Sequence, residues 1–213
     1  MKTHPWLEKY PINKLSKYLI IGTHPPMPNS GTLEYFYGNM NEFWRFLDAV
    51  YPGNNLYKNE CPKLDDIQLF LERIKMSITD IVYKTHVDRF STDNDMGTIM
   101  PDDLNPYLTE WLKDSSIEKI YFTSFGGKNS AKQLFKKWYK KEFNRVCKIS
   151  KNHINSLEIH GRSIQCIDLF SPSPTANRSS NRVKEFQNYK KDHPNNTYDD
   201  FRINWYRTNL PKI

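Results

Sequence analysis

Cysteine is scarce and scattered. The three thiols, Cys61, Cys147 and Cys166, lie far apart in a chain of 213 residues, and no two share C-x-x-C spacing. That pattern excludes a disulfide framework and a cysteine-based zinc or iron–sulfur site, and it fits a reduced compartment. Long apolar runs are missing too, which excludes a membrane-spanning helix. The first residues, Met1-Lys2-Thr3-His4-Pro5-Trp6, lead into no apolar core and do not read as a signal peptide, so a cytoplasmic setting is the expectation. No internal repeat divides the chain, and its length predicts a single domain over residues 1–213.

Three familiar motifs are near misses. Phe125-Gly126-Gly127-Lys128-Asn129 lacks the early glycine of a phosphate loop, where Phe122 stands, and the Ser or Thr after the lysine, where Asn129 stands. Asp93, Asp95 and Gly97 resemble a calcium loop, but the glycine comes one place early and the closing glutamate is absent. His86 and Asp88 are two ligands without a third. No metal and no cofactor are therefore expected.

Acidic residues are the minority charge. Lys and Arg number 31 against 24 Asp and Glu, a net charge of +7 that suits a polyanionic partner. Nine basic residues fall between Lys128 and Lys151, with Glu142 the only acid. Part of that run is the solvated face of a helix; the rest, with a second basic zone from Arg178 to Lys191, fits a DNA-binding face whose affinity falls with salt.

The informative stretch runs from Tyr18 to Trp44. Tyr18-Leu19-Ile20-Ile21 is a continuous apolar run, the mark of a strand covered on both faces. Gly22 ends it, and Pro25-Pro26 stiffen the turn, so Thr23 and His24 are held at a strand's carboxyl end, where open α/β sheets bind ligands. Phe36 and Tyr37 add flat apolar faces, and Asn39 and Asn41 add paired donors and acceptors. A flat, hydrogen-bonding ligand such as a nucleobase fits that set. Asn39 with Glu42 three residues on equally fits a capping box that only starts a helix.

Helical spacing follows at Phe43, Leu47 and Val50, and again at Ile67, Phe70, Leu71 and Ile74. Residues 78–83 read as a strand and 84–101 as a long loop without periodicity. A helix carrying Tyr107 to Leu112, a strand over 117–124, a helix over Ala131 to Trp138 and a hairpin over 157–169 come next. Two helices close the chain, the second capped by Thr197 with Asp200. Alternating strands and helices predict an α/β fold with a mostly parallel sheet between helices.

The second informative stretch is Ser171-Pro172-Ser173-Pro174-Thr175-Ala176-Asn177-Arg178, on the same rim as Thr23 and His24. Hydroxyls and free backbone N–H groups at Ser173, Thr175 and Asn177 suit a phosphate backbone, and Arg178 and Lys128 add charge.

Together the two stretches resemble the uracil-DNA glycosylase superfamily, above all its mismatch-specific and hypoxanthine-removing branches. The resemblance rests on Gly22-Thr23-His24-Pro25 for a G-x-x-P loop, Asn41-Glu42-Phe43-Trp44 for an N-x-F-W segment, and Ser171-Pro172-Ser173-Pro174 for the second loop. It implies a three-layer α/β/α sandwich with a mostly parallel four-stranded central sheet. It also implies a monofunctional DNA glycosylase, monomeric and free of metal, that removes a flipped-out uracil or hypoxanthine. By the same resemblance Phe36 stacks on the base, the Gly22–His24 backbone lines the pocket, Ser171 assists the leaving base and Ser173 meets phosphate. The family's water-orienting Asp or Asn is replaced by His24, which turns attention to Asn41. Ser171 replaces the usual His or Asn, and Arg178 is the candidate wedge. The rival readings are a binding module of the same fold without chemistry, and a small-nucleoside hydrolase.

Overall fold

Leu19, Ile20 and Ile21 dictate a sheet with two covered faces. Successive side chains on a strand point to opposite sides, yet all three are fully buried. Leu19 and Ile21 enter one core with Ile120, Phe122, Ile164 and Cys166, beneath Leu134, Phe135 and Trp138. Ile20 enters the other with Ile78, Tyr121 and Ile167, beneath Phe43, Phe46, Leu47, Phe70 and Tyr206.

The computed structural model describes residues 2–26, 33–38, 42–57, 63–150 and 153–212. In chain order the elements are β1 (Lys2–Thr3), β2 (Tyr18–Gly22), α1 (Phe43–Val50), α2 (Leu64–Arg73), β3 (Met76–Asp80) and β4 (Lys84–Thr85). Then come α3 (Leu108–Asp114), β5 (Lys119–Phe122), α4 (Ala131–Phe143), β6 (Ile154–Ile159), β7 (Arg162–Asp168), α5 (Lys184–Asp192) and α6 (Tyr198–Asn209). The main sheet runs β3-β2-β5-β7-β6. Its first four strands are mutually parallel, and β6 pairs antiparallel with β7. Helices α3 and α4 supply residues to the first core; α1, α2 and α6 supply the second. The architecture is α/β with helices on both faces, compatible with three layers.

The sheet has five strands among the described residues, where four were expected. The hairpin accounts for the difference. His160 and Gly161, with φ of 49° and 74°, make a two-residue turn between the paired Ile159 and Arg162. Positive φ at both positions is the turn that matches strand twist, so the first arm stays in register and becomes the edge strand.

The stretch 84–101 is also more ordered than its lack of periodicity suggests. β4 pairs with β1 at the other end of the chain, Asp93–Met96 forms a 3₁₀ turn, and Phe90, Met96 and Ile99 enter the first core. Past the end of β3, the Ile81 and Val82 amides still donate to the Gly22 and Thr23 carbonyls, drawing this segment across the edge of the sheet. The capping box of Thr197 and Asp200 starts α6 as expected. Glu42 occupies the cap position of α1 without a side-chain cap and pairs with Arg45 instead.

Candidate functional site

The chain passes from β2 to β3 on one side and then to β5 on the other, so the strand order reverses between β2 and β5. In open α/β sheets the crevice outside such a reversal is the ligand site. That position here is held by Gly22 at the end of β2 with Thr23 just beyond it, Asp80 from β3, and Thr123 and Ser124 beyond β5.

Hydrogen bonds close the crevice from above. The Thr23 hydroxyl donates to Asp93 Oδ1 at 2.6 Å and the Ser124 hydroxyl to Asp93 Oδ2 at 3.0 Å, so one carboxylate bridges both strand ends. Burial pushes the Asp93 carboxyl above its ordinary value, and the two hydroxyls pull it part of the way back. Asn129 pins the turn beneath by donating to the carbonyls of Asp93 and Gly97, at 3.1 and 2.8 Å. Ser124 also accepts from the Ala131 amide at 2.8 Å, which ties the crevice to the start of α4.

Tyr37 spans the same opening. Its phenol meets the Thr123 hydroxyl at 2.7 Å and its ring stacks on Phe43 at 4.1 Å. It does so from a left-handed backbone, φ 57°, an uncommon conformation for a bulky residue and one that clusters at functional sites. Gly22 makes room below. A Cβ there would lie 2.3 Å from Asp80 Oδ1 and 2.7 Å from the Tyr37 oxygen.

The histidines stand behind the first strand end. His4 Nδ1 accepts the amides of Trp6 and Leu7, at 3.0 and 3.3 Å, so its proton sits on Nε2 and points at Asp80 Oδ2, 2.9 Å away. His24 Nδ1–H donates to the Pro25 carbonyl at 2.7 Å, while its Nε2 is buried with no partner. Burial first, and the neighbouring His4 second, push His24 down to about 4. It is a neutral imidazole with a bare acceptor nitrogen, edge-on to the rings of His4 and Phe90.

The structure brings together part of the expected site. Gly22, Thr23 and Tyr37 meet at the crevice. Phe36 does not present an open plate: it is 1% exposed, with its ring against His4, Tyr10 and Tyr35. A base stacked on Phe36 has to displace one of them. Asn39 and Asn41 lie outside the described residues.

The second loop sits on the same edge, above β7. Fully buried Arg202 of α6 holds it, donating to the carbonyls of Ser171 and Ser173 at 2.6 and 3.2 Å and to Asn177 Oδ1 at 2.7 Å. The Ser171 oxygen accepts the Ser173 amide at 3.2 Å, and Ser173 and Thr175 share a hydroxyl bond of 2.8 Å. Phe125 and Phe170, 5.3 Å apart, fill the space between the ends of β5 and β7. Thr175, Asn177 and Arg178 are exposed, as is Lys128 before α4. Two strand spacings, about 10 Å, separate the ends of β2 and β7.

Beside this loop lies a second polar group. Lys132 and Asp168, both almost fully buried, pair at 2.7 Å; His153 joins Asp168 at 3.3 Å to Glu185 at 3.0 Å. Burial raises Asp168, and Lys132 moderates the rise. Burial is the largest influence on Glu185 and acts to raise it, but the bond from His153, a backbone hydrogen bond and the charges of His153 and Lys184 together outweigh it, and the carboxyl ends lowered. Among the described residues no group of three or more His, Cys, Asp or Glu side chains could hold a metal ion.

His4, Asp80, Asp93, Thr123 and Ser124 were not anticipated. Asp80 and Ser124 carried a usable signal, a polar residue at the carboxyl end of an apolar strand. Asp93 and His4 carried none, because the hydroxyls that Asp93 bridges lie at least 31 residues away and the carboxylate that His4 meets lies 76 away. Compared with known proteins, the chain matches no family model and no curated relative.

Proposed function

We propose that the chain is a DNA glycosylase of the uracil-DNA glycosylase type, hydrolysing the bond between a deaminated base, uracil or hypoxanthine, and its sugar. One observation carries the reading: a cluster of hydrogen-bonded polar side chains at the reversal of strand order, with a serine–proline loop about 10 Å away on the same edge. That distance suits a flipped nucleotide, its base in the crevice and its phosphate on the loop.

The chemistry asks for donors toward the departing base and an acceptor for water. Ser171 accepts the Ser173 amide, which leaves its own proton to donate to the base. The bare Nε2 of His24 takes a hydrogen bond from water, with Asn41 as its partner in that task. Asp93 supplies the carboxylate that the first loop lacks at position 24. Its raised proton affinity suits a group that takes up the water proton as the sugar cation is captured. Gly22, Thr23, Tyr37 and Asn39 frame the base, and Ser173, Thr175, Asn177, Arg178 and Lys128 face the backbone.

The test is incubation with DNA bearing uracil, hypoxanthine or a mismatch, scored as abasic sites. Product from at least one lesion is expected, with Asp93→Asn and Asn41→Ala each slowing release about 100-fold while binding persists. No product on any lesion overturns the reading. Lesion binding without product would make the chain a base-binding module, and faster cleavage of free nucleosides would make it a nucleoside hydrolase.

A further inference from the structure

The face of α4 turned away from the sheet is concave. Gly127, Lys128, Lys136, Lys137 and Lys140, with Val146 and Cys147, line an open groove of about 710 Å³. Lys136 and Lys140 are one turn apart, so their ammonium groups follow each other along the axis. None of the four lysines forms a salt bridge among the described residues. Other lysines do: Lys113 pairs with Glu110, Lys141 with Asp102 and Lys132 with Asp168. Glu142, the only acid nearby in sequence, is held by Thr109. The groove is therefore cationic without an internal partner.

Its upper end has a fixed address. Gly127 and Lys128 follow Ser124, whose hydroxyl holds both Asp93 and the first amide of α4. Gly127, the first residue of the groove, stands three positions after Ser124.

We propose that this groove holds a single DNA strand, its phosphates on Lys128, Lys136, Lys137 and Lys140 as it leaves the crevice. A positively charged groove that tracks one backbone is how single strands are held. The inference uses the nucleic-acid side of the glycosylase reading and none of its chemistry.

The experiment measures binding of undamaged labelled single-stranded DNA and the matching duplex by anisotropy across a salt series. The wild type is compared with K128Q/K136Q/K137Q/K140Q. A control variant, K9Q/K14Q/K17Q/K113Q, removes four lysines that pair with acids elsewhere. The groove variant is expected to weaken single-strand binding at least about tenfold and to flatten the salt slope by about 0.7 per lysine, with its melting temperature kept. The control is expected to bind nearly as the wild type. Equal losses in both variants, an unchanged slope, or tighter binding of duplex overturns the proposal. Tight, groove-dependent binding without abasic product sinks the glycosylase reading alone; absence of DNA binding sinks both.

Discussion

At the scale of single residues, the crevice is defined by what Gly22 lacks and His24 withholds. The space beside Gly22 is occupied by Asp80 Oδ1 and the Tyr37 oxygen. Neither can retreat freely, since the other Asp80 oxygen is held by His4 and the phenol by Thr123. Gly22→Ala is expected to cost about 1–3 kcal/mol in urea unfolding, the usual penalty of overpacking. A variant as stable as the wild type would show that these two side chains are not fixed. His24 makes a pH prediction. Its ordinary value is 6.5 and its folded value about 4, so between the two the unfolded chain binds a proton that the native state refuses. Its contribution is complete above pH 6.5 and is lost as pH falls toward 4, amounting to about 3 kcal/mol over the window. His24→Gln should flatten that part of the acid slope when urea midpoints are compared at pH 7.5 and 4.5. An identical slope in both proteins would contradict it.

At the scale of elements, the second loop depends on a helix that follows it. Arg202 of α6 reaches Ser171, Ser173, Asn177 and Asp199, and its guanidinium lies 4.8 Å from the rings of Phe46 and Tyr198. Arg202→Met keeps the stem's apolar packing and removes the donors. It is expected to destabilise the protein by about 1–3 kcal/mol, because the half-buried Ser171 and Ser173 carbonyls lose their donor. Hydrogen exchange should rise at least tenfold across 171–177 while β2 and β5 stay protected. A uniform rise across the molecule would assign Arg202 to the core instead of the loop. The same element explains what could be read from the sequence. β2, β5, α1 and α4 were legible because a strand's apolar run and a helix's spacing are local signals. The hairpin was legible at Gly161, but that its first arm would add a fifth strand depended on pairing along its whole length. Residues 84–101 were illegible because their order comes from elsewhere: β4 from β1, and Asp93 from Thr23 and Ser124. Thr23 and Tyr37 could be named from the chain, but the carboxylate that joins the strand ends could not.

At the scale of the whole molecule, the two ends of the described chain close the edge of the sheet. α6 braces the loop above β7, and the first residues brace the other side. β1 lies on β4, the His4 amide donates to the Tyr83 carbonyl at 2.7 Å, and Leu7 is fully buried in the second core. Glu8 accepts the hydroxyls of Tyr83 and Tyr107, each at 2.8 Å. The clasp has an inner and an outer contact of different worth. His4 covers a buried carboxylate, so His4→Ala leaves Asp80 without its donor and opens a void beside Phe36 and His24. The expected cost is about 3 kcal/mol, the penalty for leaving a buried carboxylate without its donor. Glu8 sits in water, where screening weakens such contacts, so Glu8→Gln should barely move the midpoint. Tryptophan fluorescence and far-ultraviolet dichroism should report one coincident transition in wild type and Glu8→Gln, shifted as a whole in His4→Ala. If the arm only decorates the surface, the two substitutions will behave alike, and the crevice must then be held by the sheet and the Asp93 turn without help from the amino terminus.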